Sequence, residues 1–586
     1  MTSHTPSSSV AALRVLKRYL GPLWRQVALL GVLLLSSIGL NLYLPQLLAS
    51  FLDSAQAHGS LAGLTRLALS YIGIAVAVQL LSAGATYLGA SVGWAATNRL
   101  RADLTDHLLH LDMSFHKERT PGEMIERIDG DVTALSNFFS QFAVRVFGAV
   151  LLLLGALVMF FREQWWVGLM VTTFAAVTLY AMNRTRRIGV EPTRVEREAS
   201  ARLFGFIEER LSGLDDVRAL GGGPFTISRF LGVQRNFFWK AYQAWIKRSA
   251  VWQLSMLLFA IGYVAVISSA VGLYLGGTIT IGTAFLFYQY MSLVEEPIDQ
   301  LTQQLQDLQK AGASLLRVGE LLNLESGLNE GTRTLPAGAL EVDVQGMSFQ
   351  YSDDPTAVLD SVDFRVQAGH TVGLLGRTGS GKTTLTRLVS RLYDPTSGQI
   401  LLGGVPTTDL ELAALRSRIA VVTQDVQLFQ ATVRDNLTLF NPTIPDTRVR
   451  AALAEVGLET WLDSLPDGLQ TPLAAGSLSA GESQLLAFAR VMLQDPGLII
   501  LDEPSSRLDP ATESRLTAAM QRLLHGRTAI VIAHRLDTVA RADDILVLGA
   551  GKVLEYGPRR LLAANPNSEY SRLLRAGQSV LDEVLA

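Results

Sequence analysis

The residues from Gly376 to Thr383 read Gly-Arg-Thr-Gly-Ser-Gly-Lys-Thr, a spacing of glycines, lysine and hydroxyl that suits a polyphosphate. Small residues let the backbone N–H groups of Gly376, Arg377, Thr378, Gly379, Ser380 and Gly381 turn inward on phosphate oxygens. Lys382 then reaches the β- and γ-phosphates, Thr383 offers its hydroxyl to Mg²⁺, and Thr384 continues the cradle. An apolar run at 370–375 precedes the loop and a helical pattern follows it, which is the context such a loop requires and a merely structural glycine turn does not. About 120 residues further on, Gly-Leu-Ile-Ile-Leu-Asp502-Glu503 is a buried strand ending in two carboxylates. Parallel sheets deliver reacting groups at strand ends. Asp502 is expected to hold Mg²⁺ through water and Glu503 to orient or deprotonate an attacking water. Two acids closing a strand also suit a helix cap, but a phosphate loop upstream favours the chemical role.

These groups need a sheet to hold them, and the second half of the chain supplies the pattern for one. Short apolar runs at 370–375, 419–422, 497–501 and 528–533 alternate with helical patterns, as buried strands of an α/β sheet do. The first half has another character. The chain has 586 residues, of which 49% are hydrophobic and 18% charged, and the apolar excess lies almost wholly before about residue 295. Six stretches approach the ~20 residues that cross a bilayer: 27–48, 67–94, 138–161, 165–182, 251–275 and 281–294. The last grades into Glu295, Glu296, Asp299 and Gln300 and is expected to continue as a helix into water.

Lys and Arg collect in the long segments 98–141 and 183–248, whereas 162–164 and 276–280 are short. By the positive-inside rule the long segments and both termini face the cytoplasm. Arg14, Lys17, Arg18 and Arg25 ahead of the first apolar run fit a membrane helix rather than a cleaved leader. Pro121 and Gly122, and then Gly213, interrupt the inner segments and predict helical hairpins, each with a short surface helix, near 111–118 and 209–217. Arg145 is the one charge near the end of a span. Phe285, Phe287, Tyr288, Gln289, Tyr290 and Met291 are candidates for lining a cavity, with packing and lipid contact explaining them at least as well. A net charge of −3 gives no support to nucleic-acid binding, and the absence of Cys excludes disulfides and thiolate chemistry. The expected organisation is a transmembrane domain at 1–321, a polar linker at 322–339 and an α/β domain at 340–586.

Taken in order, the motifs resemble those of the ABC transporter family, specifically exporter-type half-transporters, over nearly the whole chain. The resemblance implies an all-α domain of six membrane helices followed by an α/β P-loop ATPase domain, in the inner membrane, with ATP and Mg²⁺ as cofactors. It implies that Tyr351 stacks on adenine, that Gln424 in Val-Val-Thr-Gln-Asp touches Mg²⁺, and that Leu478-Ser479-Ala480-Gly481-Glu482 is the signature loop. Ser506–Asp509 then matches the D-loop, and His534 in Ala-His-Arg-Leu the switch histidine on the γ-phosphate. Two such domains sandwich ATP between the phosphate loop of one and the signature of the other, and the two short helices become coupling helices seated near the Gln424 loop.

The family's usual signature is Leu-Ser-Gly-Gly-Gln. Here Ala480 and Glu482 replace Gly and Gln, while Ser479 and Gly481, which contact the partner's γ-phosphate in the family, are kept. The added carboxylate brings negative charge near a polyphosphate and the added methyl restricts a backbone turn, so weak turnover at that site is expected. The segment 471–477 also lacks the usual Glu-rich stretch. An intact Glu503 beside an altered signature is the pattern of one member of an asymmetric heterodimer, with a homodimer as the alternative. The expected activity is ATP-driven export of amphipathic, drug-like or lipid-like molecules. The rivals are a siderophore importer and an ATP-binding gating subunit, against which Glu503 argues. Six apolar spans argue against a soluble ATPase acting on nucleic acid.

Overall fold

The computed structural model describes residues 17–354, 356–474, 476–502, 510–533 and 536–576. Glu503, the segment Ser506–Asp509 and His534 therefore lie outside the described residues. The described residues form two compact units, those up to residue 109 with 122–324, and 110–121 with those from residue 325 onward.

In the first unit the apolar runs become long helices: α1 (Trp24–Gln56) and α2 (Leu61–His110), then, beyond the short α3 (Met113–Glu118) of the second unit, α4 (Pro121–Glu163), α5 (Trp165–Ser212), the short α6 (Leu214–Ala219), α7 (Gly223–Leu275) and α8 (Ile281–Leu322). Among the described residues, α1, α2, α4, α5 and α7 are long and apolar enough to span a membrane. The sixth, α8, is an unbroken 42-residue helix, apolar as far as Val294 and then carrying the expected carboxylates Glu295, Glu296 and Asp299. Two π-helical stretches, Glu126–Asp131 and Phe138–Phe147, interrupt α4.

The core of this unit is Leu42, Ala156, Phe160, Val167, Phe259 and the buried face of α8. Of the two readings of that face packing is the one realised, because Phe287, Tyr290 and Met291 are fully buried and only Tyr288 of the bulky residues stands in the open. Two polar ties fix α8 against α1. The Gln46 amide donates to Tyr290 Oη at 3.1 Å, and Asp53 accepts from Gly282 N and from Thr280 Oγ1, both at 2.7 Å, which seats a carboxylate at the helix N-terminus where the dipole favours it. On the cytoplasmic side Asp131, 4% exposed, accepts from Ser314 Oγ and Arg317 Nε, both at 2.9 Å, binding α4 to the far end of α8.

The second unit is built on two sheets. Strands β1 (Val342–Phe349), β2 (Leu359–Val366), β4 (Ser397–Leu402) and β5 (Val405–Pro406) form an antiparallel sheet in the order β2-β1-β4-β5. The other sheet runs β12-β11-β3-β10-β9-β6, with β3 (Thr371–Gly376), β6 (Ile419–Val422), β9 (Leu498–Asp502), β10 (Thr528–Ile532) and β11 (Asp544–Gly549) parallel and β12 (Lys552–Pro558) antiparallel at the edge. A two-residue pair, β7 (Ala431–Thr432) and β8 (Pro472–Leu473), stands apart. Residues of β9 and β10 are buried almost without exception, which is why their sequences read as continuous apolar runs.

Candidate functional site

Strand β3 ends at Gly376 and helix α9 (Lys382–Val389) begins six residues later. Gly381 caps that helix at φ 100°, and a Cβ there would come 2.6 Å from Leu359 Cδ2, so backbone angle and space both demand glycine. Gly376 is equally closed, since a Cβ would press on the carbonyl of Leu548. The loop is thus shaped as the spacing predicts. Lys382 is 6% exposed and its Nζ donates to Gly376 O at 2.7 Å and Arg377 O at 3.1 Å. Its ammonium is held across the mouth of the loop by acceptors that a phosphate would replace. Ser380 is buried and its hydroxyl has no partner among the described residues, which leaves a polar atom in the cradle for an incoming oxygen anion. Thr378 and Gly379 are exposed on the rim, with Thr383 exposed at the helix start.

Tyr351 Oη lies 3.1 Å from Thr384 Oγ1 on α9, so the structure brings the expected adenine platform onto the phosphate loop. Its ring is met edge to face by Phe349 and Tyr393 at 4.9 and 5.4 Å between centroids, and the Lys117 ammonium of α3 stands 3.7 Å from the ring centre. Lys117 also pairs with Asp353 at 2.8 Å, Glu118 accepts from Ser352 Oγ at 3.0 Å, and Asp112 caps α3. Asp112 further accepts from Gly327 N at 2.6 Å. Burial pushes its carboxyl up, and the three backbone donors of Gly327, Phe115 and Ser114 outweigh that and hold it below the usual carboxylate range. The first predicted surface helix therefore exists, two residues shorter than expected, and it lies against the Tyr351–Asp353 segment.

Asp502 is half-buried at the end of β9. With β10 alone between β9 and β3, it lies roughly 10 Å along the same sheet edge from the phosphate loop, at ~4.8 Å per strand. Gln424 is exposed just past β6. The donors at hand are a hydroxyl, a carboxylate and an amide oxygen, a hard oxygen set that suits Mg²⁺ shared with phosphates.

The signature segment opens helix α10 (Ala480–Gln494), and Ser479 and Glu482 form a complete capping box. Glu482 Oε2 accepts from Ser479 N and Ser479 Oγ, both at 2.8 Å, while Ser479 Oγ accepts from Glu482 N at 3.3 Å. Ala480 sits at the first helical position, and its φ is not positive. The expected strain from its methyl is thereby corrected, because no turn here requires glycine. Gly481 is buried in the first turn. A residue that sequence reading passed over is Gln484, whose amide donates to Gln424 O at 2.9 Å and so joins the signature helix to the Gln424 loop. Arg490, one face further along α10, donates to Gln427 O and Asn436 O at 3.0 and 2.7 Å. Glu482, Gln484 and Arg490 do not recur at the 3.6-residue period, so the spacing gave no sign of that tie.

Residues 27–298 match the family model for the ABC transporter transmembrane region, and residues 359–506 match the ABC transporter model. An ATP-dependent lipid A-core flippase of Burkholderia orbicola is 31% identical over 94% of this chain and 94% of its own length. The uncharacterized ABC transporter ATP-binding protein YknV of Bacillus subtilis is 32% identical over 83% of this chain and 80% of its own. Among solved structures, a bacterial Atm1-family ABC exporter with ATP bound shares the fold with a TM-score of 0.80 at 22% identity, covering 95% of this chain and 98% of that one. The chain belongs to the ABC transporter family, as an exporter-type half-transporter in which a multi-pass membrane domain and a cytoplasmic ATPase domain form one polypeptide.

Proposed function

We propose that this half-transporter exports amphipathic molecules, lipid-like or drug-like, as one member of a heterodimer with unequal ATP sites. The observation that carries the nucleotide site is the closed phosphate loop, with Lys382 bridging its mouth and the Ser380 hydroxyl unpartnered inside it. In this reading the backbone from Gly376 to Gly381, with Lys382 and Thr384, holds the phosphates, and Tyr351 holds the base. Thr383, Asp502 and Gln424 are the residues that would hold Mg²⁺, which when bound neutralises charge between the β- and γ-phosphates. Glu503 takes the proton of the attacking water, and His534 donates to the γ-phosphate. Ser479 and Gly481 serve the ATP of the facing subunit. Closure of two such domains pulls on the helices that reach them and opens the membrane path outward.

The relatives named as lipid A-core flippases favour a lipid-like cargo, and the altered signature favours unequal sites. The test is Lys382→Ala in membrane vesicles. Loss of nucleotide binding, of ATPase and of substrate accumulation together is the expected outcome; substrate movement that survives without ATPase removes the reading.

A further inference from the structure

Within the ATPase unit, the end of α3 grips three consecutive residues that begin with the expected base platform. The Lys117 ammonium stands 3.7 Å from the centre of the Tyr351 ring, Glu118 accepts from Ser352 Oγ at 3.0 Å, and Lys117 also pairs with Asp353 at 2.8 Å. The ring is held elsewhere as well. Its Oη lies 3.1 Å from Oγ1 of the buried Thr384. The buried rings of Phe349 and Tyr393 stand at 84° and 87° to it, so neither stacks on it. An ammonium so near the ring centre fills one face, and a base has the other face on which to stack.

We propose that Lys117 is a positioning residue for the nucleotide base, acting on it through Tyr351, so that ammonium, phenol ring and purine form one stack. The inference rests on the reading of Tyr351 as the base platform and adds to it the group behind that platform. Two effects carry it. A ring fixed beforehand surrenders little rotamer freedom when the base arrives. The cation also draws on the negative π-cloud of the ring and so lessens its repulsion for the π-cloud of a purine on the opposite face. The phosphates gain from neither effect, because among the described residues Lys117 bonds to Asp353 and covers Tyr351 without reaching the phosphate loop. The benefit is reciprocal: whatever factor Lys117 adds to base binding, the bound base adds to the seating of Lys117. Helix α3 begins just after α2 ends, so the base, more than the phosphates, would steady the start of that connection.

The test sets ADP against pyrophosphate, a diphosphate without a base, each titrated with Mg²⁺ into the detergent-solubilised full-length chain by calorimetry. The ratio of the two affinities isolates the base, and retained pyrophosphate binding shows that each variant is folded. Lys117→Met keeps much of the stem and removes the charge. It is expected to weaken ADP roughly threefold and to leave pyrophosphate unchanged, and Lys117→Arg, whose guanidinium also sits over a ring face, is expected to restore the ratio. In a Tyr351→Leu background Lys117→Met should change the ratio no further. An equal loss for both ligands, an unchanged or raised ADP affinity in Lys117→Met, or a loss that persists in Tyr351→Leu overturns the proposal. A ratio lowered by Tyr351→Leu alone but not by Lys117→Met ends the role of Lys117 and keeps the platform. A ratio unmoved by Tyr351→Leu ends both.

Discussion

At the scale of single residues, Glu482 is where chemistry and structure have to be weighed against each other. Its carboxylate is turned onto Ser479 N and Oγ, at a helix N-terminus that favours negative charge. Ser479 Oγ–H is therefore committed to Glu482, and towards a facing phosphate the serine presents lone pairs. One charge some 6 Å from a phosphate in a water-like medium opposes binding by roughly 0.7 kcal/mol, about threefold. Glu482→Gln, which can keep the box and removes the charge, is expected to raise the ATPase rate about threefold. Glu482→Ala is expected to lose the cap and about 1 kcal/mol of helix stability, read as earlier thermal unfolding. A Glu482→Gln rate equal to or below the wild type would show that the carboxylate is no electrostatic obstacle. The box was legible in advance, because Ser-x-x-Glu ahead of an apolar run is its pattern. Set against the usual signature the two substitutions read only as losses, although Ser479 and Glu482 make the box between them. The phosphate loop was legible for the opposite reason. Each of its glycines answers a backbone angle or a close contact that no other residue tolerates.

At the scale of elements, the sequence marked the strands and long helices because burial on both faces, or in lipid, leaves long apolar runs. It marked the short helices less well. The second begins at Leu214, after Gly213, and the residues expected to start it remain the last turn of α5. Which face of α8 is inside was not legible, because Phe287, Tyr288 and Tyr290 differ in fate only through what α1 and α4 place beside them. The first short helix offers a clean test. Asp112→Ala removes the cap of α3 and the acceptor for Gly327, a loss of about 1 kcal/mol. It is expected to leave basal ATPase intact and cut substrate-stimulated ATPase, so a retained stimulation ratio counts against α3 as a transmission element. Because the folded carboxyl of Asp112 is held below its unfolded value, its contribution is complete above about pH 4. That contribution is lost only as pH falls further, so stimulation should be flat between pH 6 and 8 as far as this group is concerned. A second element-level tie is Asp131, whose buried carboxylate joins α4 to Ser314 and Arg317 on α8. Asp131→Asn is expected to cost about 1–2 kcal/mol, discounted because Arg317 is 40% exposed. The detergent-solubilised protein should melt correspondingly earlier.

At the scale of the whole molecule, a single chain carries one phosphate loop and one signature, and the family's chemistry needs each to face its counterpart on another chain. Two copies of this chain would make two equal sites, each pairing Glu503 with a signature whose serine is held by Glu482. A different partner would make one site from this chain's phosphate loop and an unaltered signature, and a second from the partner's loop and Ser479. The heterodimer predicts that tagged and untagged copies expressed together do not co-purify, and that the isolated chain has little substrate-stimulated ATPase. It also predicts that Glu503→Gln in the native complex removes most turnover, because the better site is the one this chain's base serves. The homodimer predicts co-purification, full stimulated turnover from this chain alone, and loss of all turnover in Glu503→Gln. Co-purification with full stimulated activity therefore ends the heterodimer reading while leaving the ATPase assignment and the Lys382 test where they stand.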